Sequence, residues 1–293
     1  MNKLPIRLFL SLLLSFQASN AGQPVASEGN YIVKRVPGAD GRGKGHRPVL
    51  DGVISPGEWV TASPAAGGFT LLREWPRTDN QNIRFRMLWD DEALYILGQI
   101  DYGGWQPSTD LDYVPFDGAH DNVNLYFCPR PSDPSQRYSP DGYQIAWHID
   151  QGFAMRNPGR AGDYKMGMYF DAHVDTLFGN QANWYIDGSC GAYGDCAVPG
   201  LQIAQRAGQN GCVIEVRIEW EAFNAPDGEG APLYHPAAPK PGDQWAFEWG
   251  QITSDPNNLY PSWSDRAAQA FGITGRAFFA EWPHGTLTFL SHP

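Results

Sequence analysis

The side chains that could do chemistry in this chain are aromatic rings and carboxylates. The sequence has 11 Trp, 13 Tyr and 15 Phe, and a ring in an exposed loop can stack on the apolar face of a sugar. Three such rings lie among glycine and proline: Trp105 in YGGWQPSTD, Phe116 in YVPFDGA and Trp282 in AEWPHG. Phe278 lies close to the third. These four residues are candidates for sugar stacking, although aromatic residues also fill the cores of β-rich proteins.

Acidic side chains crowd one of these aromatic segments. Asp101, Asp110, Asp112, Asp117 and Asp121 lie in one long loop and at its edges. Calcium takes about six to eight oxygen ligands, so this concentration indicates a calcium site with Asp101, Asp117 and Asp121 as candidate ligands. The alternative is a solvated acidic loop in which Asp side chains cap turns.

The chain as a whole is acidic, with 32 Asp and Glu against 21 Lys and Arg and a net charge of −11. Nucleic acids, anionic membranes and anionic polysaccharides are therefore poor partners for its surface. We expect a neutral oligo- or polysaccharide as the partner and no nucleic acid.

The N-terminus predicts export. Within residues 1–21, Lys3 and Arg7 precede the apolar run LFLSLLLSF, and small residues lead up to Ala21. This layout is typical of a signal peptide cleaved after Ala21. The run is too short to cross a bilayer, and no later stretch reaches about 18 apolar residues. The protein is expected to be secreted or periplasmic.

Export permits disulfide bonds, and the four cysteines allow three pairings. Cys190 and Cys196 flank the short loop GAYGD, which favours a local bridge between them. Cys128 and Cys212 would then form the second bridge. A metal site is the weaker alternative, because the sequence contains no C-x-x-C pair.

Catalytic signatures are weak. The chain has neither H-E-x-x-H nor G-x-S-x-G, but paired carboxylates can hydrolyse glycosides. A carbohydrate-active hydrolase therefore stays as an alternative, and whether the protein is an enzyme is left open with non-catalytic binding favoured.

A non-covalent haem b electron-transfer domain is the other alternative. Methionine paired with histidine or lysine can ligate haem, and the absence of C-x-x-C-H excludes covalent attachment. The candidate ligands are Met87, Met155, Met166, Met168, His148 and Lys165. Methionine also fills core gaps.

Strand-like alternation dominates the chain beyond residues 22–47, a polar, glycine-rich stretch that predicts a flexible leader. Residues 82–101 alternate in two runs around the turn Asp90-Asp91-Glu92, which predicts a β-hairpin. Similar runs recur to residue 290, without an amphipathic helix longer than about 10 residues. The pattern predicts an all-β fold with little helix: one β-sandwich of two antiparallel sheets, jelly-roll or immunoglobulin-like, over residues 48–293.

The segment VLDGVISPGEWVTA is predicted to begin the folded part of the chain. Asp51-Gly52 predicts a first turn and Ser55-Pro56-Gly57 a second bend. Glu58-Trp59 would then begin the packed part of the chain, with Trp59 as a structural plug.

These motifs, taken in order, resemble a family 9 carbohydrate-binding module from about residue 49 to residue 290. The resemblance rests on Asp51-Gly52 followed by Glu58-Trp59, and then on IRFRMLWDDEALYILGQID, DNVNLYFCP, YQIAWHIDQGFAMRNPG, GCVIEVRIEW, GDQWAFEWGQITSD, the Ser262–Asp265 segment and HGTLTF. It implies a β-sandwich, often with bound calcium.

The resemblance also implies a function. Such modules bind sugar, commonly the ends of plant polysaccharide chains, between two aromatic rings with polar side chains bonding the hydroxyls. Here Asn124 stands where the family has Glu, and Ala146 stands where a basic residue often reaches the sugar. Asn124 and Gln144 are the candidate hydrogen-bonding residues. The expected function is non-catalytic carbohydrate binding linked to polysaccharide degradation.

Overall fold

The computed structural model describes residues 29–38, 46–71, 81–104, 121–128, 142–149, 152–156, 165–169, 200–224, 238–253, 261–263 and 285–291. Regular structure in these residues is almost entirely β-strand, apart from a short 3-10 helix at Trp220–Asn224. The strands are β1 (Asn30–Arg35), β2 (Thr70–Leu71), β3 (Arg84–Trp89), β4 (Ala93–Ile100), β5 (Asn122–Cys128), β6 (Gly142–His148), β7 (Gly152–Arg156), β8 (Lys165–Tyr169), β9 (Leu201–Gly208), β10 (Gly211–Glu219), β11 (Gln244–Ile252), β12 (Pro261–Ser262) and β13 (Gly285–Leu290). No helix within these ranges has the length and apolar character needed to cross a membrane.

The strands pair into one sheet in the order β7-β9-β10-β4-β3-β1-β13-β11-β5-β6-β8, and the short β12 pairs with β11 and β2. Among the described strands, pairing is antiparallel except at β1, which runs parallel to both β13 and β3. The all-β prediction is confirmed. Two separate antiparallel sheets are not what the structure has, because the backbone of β1 bonds to both halves and makes the sheet continuous.

β1 lies in the segment that was predicted to be a flexible leader. Tyr31 and Val33 are fully buried and alternate with more exposed neighbours. The Tyr31 hydroxyl accepts the N–H of Met87 at 3.0 Å and donates to the carbonyl of Ser63 at 3.3 Å. These contacts make Asn30–Arg35 a central strand, so ordered structure begins well before Val49.

The predicted hairpin is present. β3 and β4 pair antiparallel from Arg84 opposite Gln99 to Trp89 opposite Leu94. The turn between them is fixed by the carboxylate of Asp90, which accepts the backbone N–H groups of Glu92 and Ala93 at 2.8 and 2.9 Å. The acidic turn residues seen in the sequence therefore hold the hairpin closed.

The sheet curls until its two halves face each other. The Trp249 ring on β11 lies directly against Gly98 on β4, and it stacks on Phe85 of β3 with ring centroids 5.8 Å apart. Further along, the Trp147 indole on β6 donates to the Gln205 side chain on β9 at 3.1 Å. These strands are not neighbours in the sheet, so the contacts cross the core between its halves.

A second layer covers part of the outer face of β3, β4 and β10. It is formed by residues 49–62, which we call the cover segment. Trp59 in this segment is 3% exposed and packs in a cluster with Leu88, Tyr95 and Leu97. The predicted role of Trp59 as a structural plug is therefore confirmed.

The turns of the cover segment are held by two carboxylates. Glu58 accepts the backbone N–H groups of Val49 and Ser55 at 2.6 and 3.0 Å. The predicted Asp51-Gly52 turn is present, with Gly52 at φ 70°, a conformation that favours glycine. The Glu215 side chain on β10 lies beneath this turn.

Candidate functional site

Several predicted site residues lie outside the described part of the chain. They are the four aromatic candidates Trp105, Phe116, Phe278 and Trp282, the candidate calcium ligand Asp117, and the cysteines Cys190 and Cys196. Their roles stay predictions, and what the structure supplies is the place where their segments begin and end.

One edge of the curled sheet holds both ends of the segment that carries Trp105 and Phe116. We call it the loop edge: the region where β4 and β11 end and β3 and β5 begin. The carbonyl of Gln81 accepts the N–H of Asp101 at 2.8 Å, and its side-chain oxygen accepts the Gln251 amide at 3.2 Å. Gln251 lies opposite Val123 on β5. The described residues before and after segment 105–120 therefore both lie at this edge.

The segment that carries Phe278 and Trp282 also leaves and returns at β11. The N–H of Trp263, where this segment begins, is shared between the Trp249 carbonyl at 3.0 Å and the Glu248 carboxylate at 2.7 Å. Gly285, where the segment ends, lies directly under the Trp263 ring. A side chain at Gly285 would collide with that ring, so glycine allows the two ends to touch.

Two of the three candidate calcium ligands, Asp101 and Asp121, lie in the described part of the chain. Asp101 accepts the Asn82 amide at 2.5 Å and the Arg84 guanidinium at 3.0 Å, so its charge is already compensated. Asp121 is fully buried at the start of β5, and its carbonyl accepts the N–H of Ile149 at 2.9 Å. The described residues contain no group of three or more acidic, His or Cys side chains suited to a metal. The role of Asp101, Asp117 and Asp121 as calcium ligands stays a prediction.

Asn124 is fully buried on β5. The strand register places it between Gly250 of β11 and Ala146 of β6, so both of its backbone neighbours are small residues. A sugar could contact this amide only if the groups that bury Asn124 moved aside. Gln144 pairs with Tyr126, two positions along the same pair of strands, and its predicted role is untested.

Cys212 carries a free thiol in the core. Burial raises its pKa well above the usual range for a thiol. The predicted bridge to Cys128 is not formed. Cys212 on β10 lies opposite Ile100 and Ala207, whereas Cys128 lies opposite Ala246 on β5's neighbour β11, and these strands are far apart in the sheet order.

Met87, a candidate haem ligand, is fully buried among core side chains of β3. Its backbone N–H is bonded to the Tyr31 hydroxyl. The other candidate ligands lie on β6, β7 and β8, and their roles stay predictions. Nothing in the surroundings of Met87 distinguishes it from a packing residue.

A row of side chains on the outer face, which we call the outer row, was not predicted from the sequence. Successive registers place Arg84, Gln99, Val213, Arg206 and Phe153 side by side across β3, β4, β10, β9 and β7. The cover segment reaches this row at Arg206, which donates to the Asp51 carbonyl at 3.4 Å. Alternation within each strand could have identified the outward positions, but the alignment of one strand with the next is not readable from the sequence.

Comparison with known proteins gives matches to solved structures alone. No family model matches the chain, and no curated protein matches it. A family 9 carbohydrate-binding module from Caldicellulosiruptor kristjanssonii in complex with cellotriose is 14% identical, with 90% of this chain and 95% of that chain covered and a TM-score of 0.49. A structure of such a module from the same organism with glucose is 14% identical, with 90% and 97% covered and a TM-score of 0.46.

A third solved structure is a Bacteroides uniformis protein assigned to carbohydrate binding. It is 12% identical, with 90% of this chain and 100% of that chain covered and a TM-score of 0.48. At these identities the similarity concerns the fold alone. The chain resembles family 9 carbohydrate-binding modules, as its sequence motifs predicted.

Proposed function

We propose that this protein binds neutral carbohydrate without catalysing a reaction, through aromatic side chains carried by the segments at the loop edge and beside β11. The observation that carries the proposal is that both segments are anchored to β11. Residues 105–120 return next to Gln251, and residues 264–284 leave at Trp263 beside Trp249.

A rigid base under two aromatic segments suits sugar recognition. A pyranose offers apolar C–H faces for stacking and a rim of hydroxyls for hydrogen bonds. Loops that bind ligands are commonly held by a rigid scaffold, and here the scaffold includes the buried Gln81–Gln251 contact. Trp105 and Phe116 on one segment, with Phe278 and Trp282 on the other, would supply the rings.

The charge of the chain favours an uncharged ligand at this edge. The net charge is −11, with 32 Asp and Glu against 21 Lys and Arg. An anionic polymer would be repelled by such a surface, whereas glucose-type oligosaccharides would not. Family resemblance and charge therefore both support a neutral carbohydrate as the ligand.

Calorimetric titration of the purified protein with glucose, cellotriose and other neutral oligosaccharides tests the proposal. We expect binding that Trp105→Ala and Trp282→Ala each weaken about tenfold or more, because truncating a central aromatic anchor removes most of its contact. Val60→Ala, which truncates an exposed side chain of the cover segment, is the control and should leave this affinity unchanged. Absence of binding to every neutral glycan, with and without a calcium chelator, would defeat the proposal.

Export and a link to polysaccharide degradation belong to the same proposal. The signal peptide predicted over residues 1–21 supports export, and binding of polysaccharide chain ends would keep such a protein at a substrate under attack by hydrolases. N-terminal sequencing of the exported protein should begin at Gly22. Retention of the full N-terminus inside the cell would contradict export without affecting sugar binding.

A further inference from the structure

The outer row borders an open groove of about 510 Å³. The groove lies between the ends of β4 and β7 and the β9–β10 turn, and its floor includes Gly208 and Gly211. A side chain added at Gly208 would meet nothing within 4 Å, so the floor is open above this position. The polar side chains along its walls are Gln99, Asp101, Arg206, Gln209 and Asn210.

Arg206 is the uncompensated charge of this groove. Arg84 is paired with Asp101 at 3.0 Å, but no carboxylate of the described residues pairs with Arg206. Its hydrogen bond among these residues goes to the Asp51 carbonyl at a long 3.4 Å. An exposed guanidinium without an acidic partner is notable in a chain whose net charge is −11.

Arg206 is also held in place. Its guanidinium carbon lies over the Phe153 ring, 5.0 Å from the centroid, which is within cation–π distance. The cover segment packs against the base of the Arg206 side chain, because a Cβ at Gly52 would lie 2.9 Å from the Arg206 Cβ. Stacking uses the face of the guanidinium and leaves its in-plane N–H groups available to a ligand.

We propose that this groove is a second binding site that takes a carboxylate-bearing sugar, a uronic acid residue whose carboxylate pairs with Arg206. Arginine bonds a carboxylate through two parallel N–H groups, and a side chain fixed before binding loses less entropy. The inference rests on the proposed function only in taking the ligand to be a sugar.

The remaining walls of the groove favour a sugar over other carboxylates. Gln99, Gln209 and Asn210 carry amides, which donate and accept hydrogen bonds as sugar hydroxyls do. Val213, which also lines the groove, adds a small apolar surface suited to ring C–H groups. A peptide C-terminus would need a deeper apolar pocket for its side chain, and the described lining offers none.

The overall acidity of the chain does not conflict with this site. A long anionic polymer would carry many charges across the acidic surface, whereas a single uronate at a chain end brings one charge to one guanidinium. We therefore expect short or terminal uronates to bind better per residue than long polyuronates.

Calorimetric titration of the full chain with glucuronate and digalacturonate tests the inference. We expect Arg206→Gln to weaken uronate binding about tenfold or more, the usual range for a charge-assisted bidentate pair. Arg206→Lys should weaken it by a smaller factor, since the charge stays and the fork is lost. Lys240→Gln, at an exposed site before β11, makes the same charge change away from the groove and should have no effect.

Two further ligands and the Lys240→Gln control can each overturn the inference. The uncharged methyl ester of glucuronate should bind at least about tenfold more weakly than the acid; equal affinity would overturn the inference. Acetate should bind far more weakly than glucuronate, and equal affinity would show a general anion site, which overturns the sugar class. Loss of uronate binding that is the same in Lys240→Gln as in Arg206→Gln would also overturn it.

The two ligands and two variants separate the failure of this inference from that of the proposed function. Cellotriose binding should be unchanged in Arg206→Gln and weakened in Trp105→Ala, whereas glucuronate binding should show the reverse. A protein that binds uronates but no neutral glycan would contradict the proposed function and leave the groove site standing. Circular dichroism of each variant confirms that a loss of binding is not a loss of fold.

Discussion

Glu215, on β10, accepts the backbone N–H of Gly52 at 2.8 Å with the same carboxylate oxygen that accepts the N–H of Asp51 at 2.9 Å. This carboxylate is 1% exposed. A buried group from the middle of the sheet thus fixes the turn with which the cover segment begins, across a sequence separation of 163 residues. Two sequence motifs that are far apart in the chain, the Asp51-Gly52 turn and GCVIEVRIEW with Glu215, are thus in direct contact.

Removing this carboxylate should destabilise the fold. Glu215→Ala leaves two backbone N–H groups without an acceptor, which costs about 1–3 kcal/mol of unfolding free energy. Glu215→Gln keeps an oxygen acceptor and should cost less. Urea unfolding at neutral pH measures the difference. Glu221→Gln, an exposed acid on the 3-10 helix, is the control; equal effects of Glu215→Ala and Glu221→Gln would contradict the role of Glu215.

The same residue should make stability depend on pH. Burial, with a smaller contribution from the nearby Glu58 charge, raises the pKa of Glu215 from its ordinary 4.5 to about 6. The folded state therefore binds this proton more tightly than the unfolded state, so the contribution is full below pH 4.5 and is lost as the pH rises through 6. As the pH rises from 4.5 to 6, the unfolding free energy of the wild type relative to that of Glu215→Gln should decrease. Above this pH range the difference should level off. A relative stability that rises over this window would contradict the assignment.

Sequence patterns predicted the local parts of this fold and missed its long-range contacts. The β3–β4 hairpin follows from alternation and an acidic turn, both confined to residues 82–101. β1 was missed because glycine-rich flanks hid the alternation of Tyr31 and Val33. The outer row was missed for another reason: five strands must pair in one register to align Arg84 with Phe153, and each register is set by distant pairings.

For the candidate site, too, the sequence predicted the local features and missed the long-range contacts. Aromatic and acidic residues around Trp105 identified a segment by composition, and the structure anchors that segment at Gln81. Nothing local in the sequence indicates that Gln81 and Gln251 meet, because they are 170 residues apart. The burial of Asn124 was also hidden, since alternation with the core residues Val123 and Leu125 predicts an outward and exposed side chain.

Gly98 should tolerate no larger residue. The Trp249 ring fills the space where a Cβ would lie, so Gly98→Ala forces one half of the sheet away from the other. Overpacking of this kind costs about 1–3 kcal/mol. Gly208→Ala is the matched control, because it adds the same methyl to a strand glycine with open space. Thermal unfolding should show a lowered midpoint for Gly98→Ala alone, and an unchanged midpoint would argue against close contact between β4 and β11.

Tyr31 should matter for its hydroxyl as well as its ring. Tyr31→Phe keeps the packing but leaves the buried N–H of Met87 without its 3.0 Å acceptor, at a cost of about 1–3 kcal/mol. Tyr102→Phe removes an exposed hydroxyl that donates to the Gly104 carbonyl and should be near neutral. Denaturant unfolding of both variants compares them directly. Similar losses in the two would contradict a central position for β1.

Cys212 should resist thiol reagents until the protein unfolds. The thiol is buried within the core, and its raised pKa leaves little reactive thiolate at neutral pH. Maleimide labelling followed by mass spectrometry should therefore modify Cys212 in denaturant and not in the native state. Peptide mapping without reductant supplies the complementary measurement, since a peptide pair joining Cys128 to Cys212 would show the bridge that the sequence predicted. Detection of that pair in the exported protein would contradict the free Cys212 thiol described here.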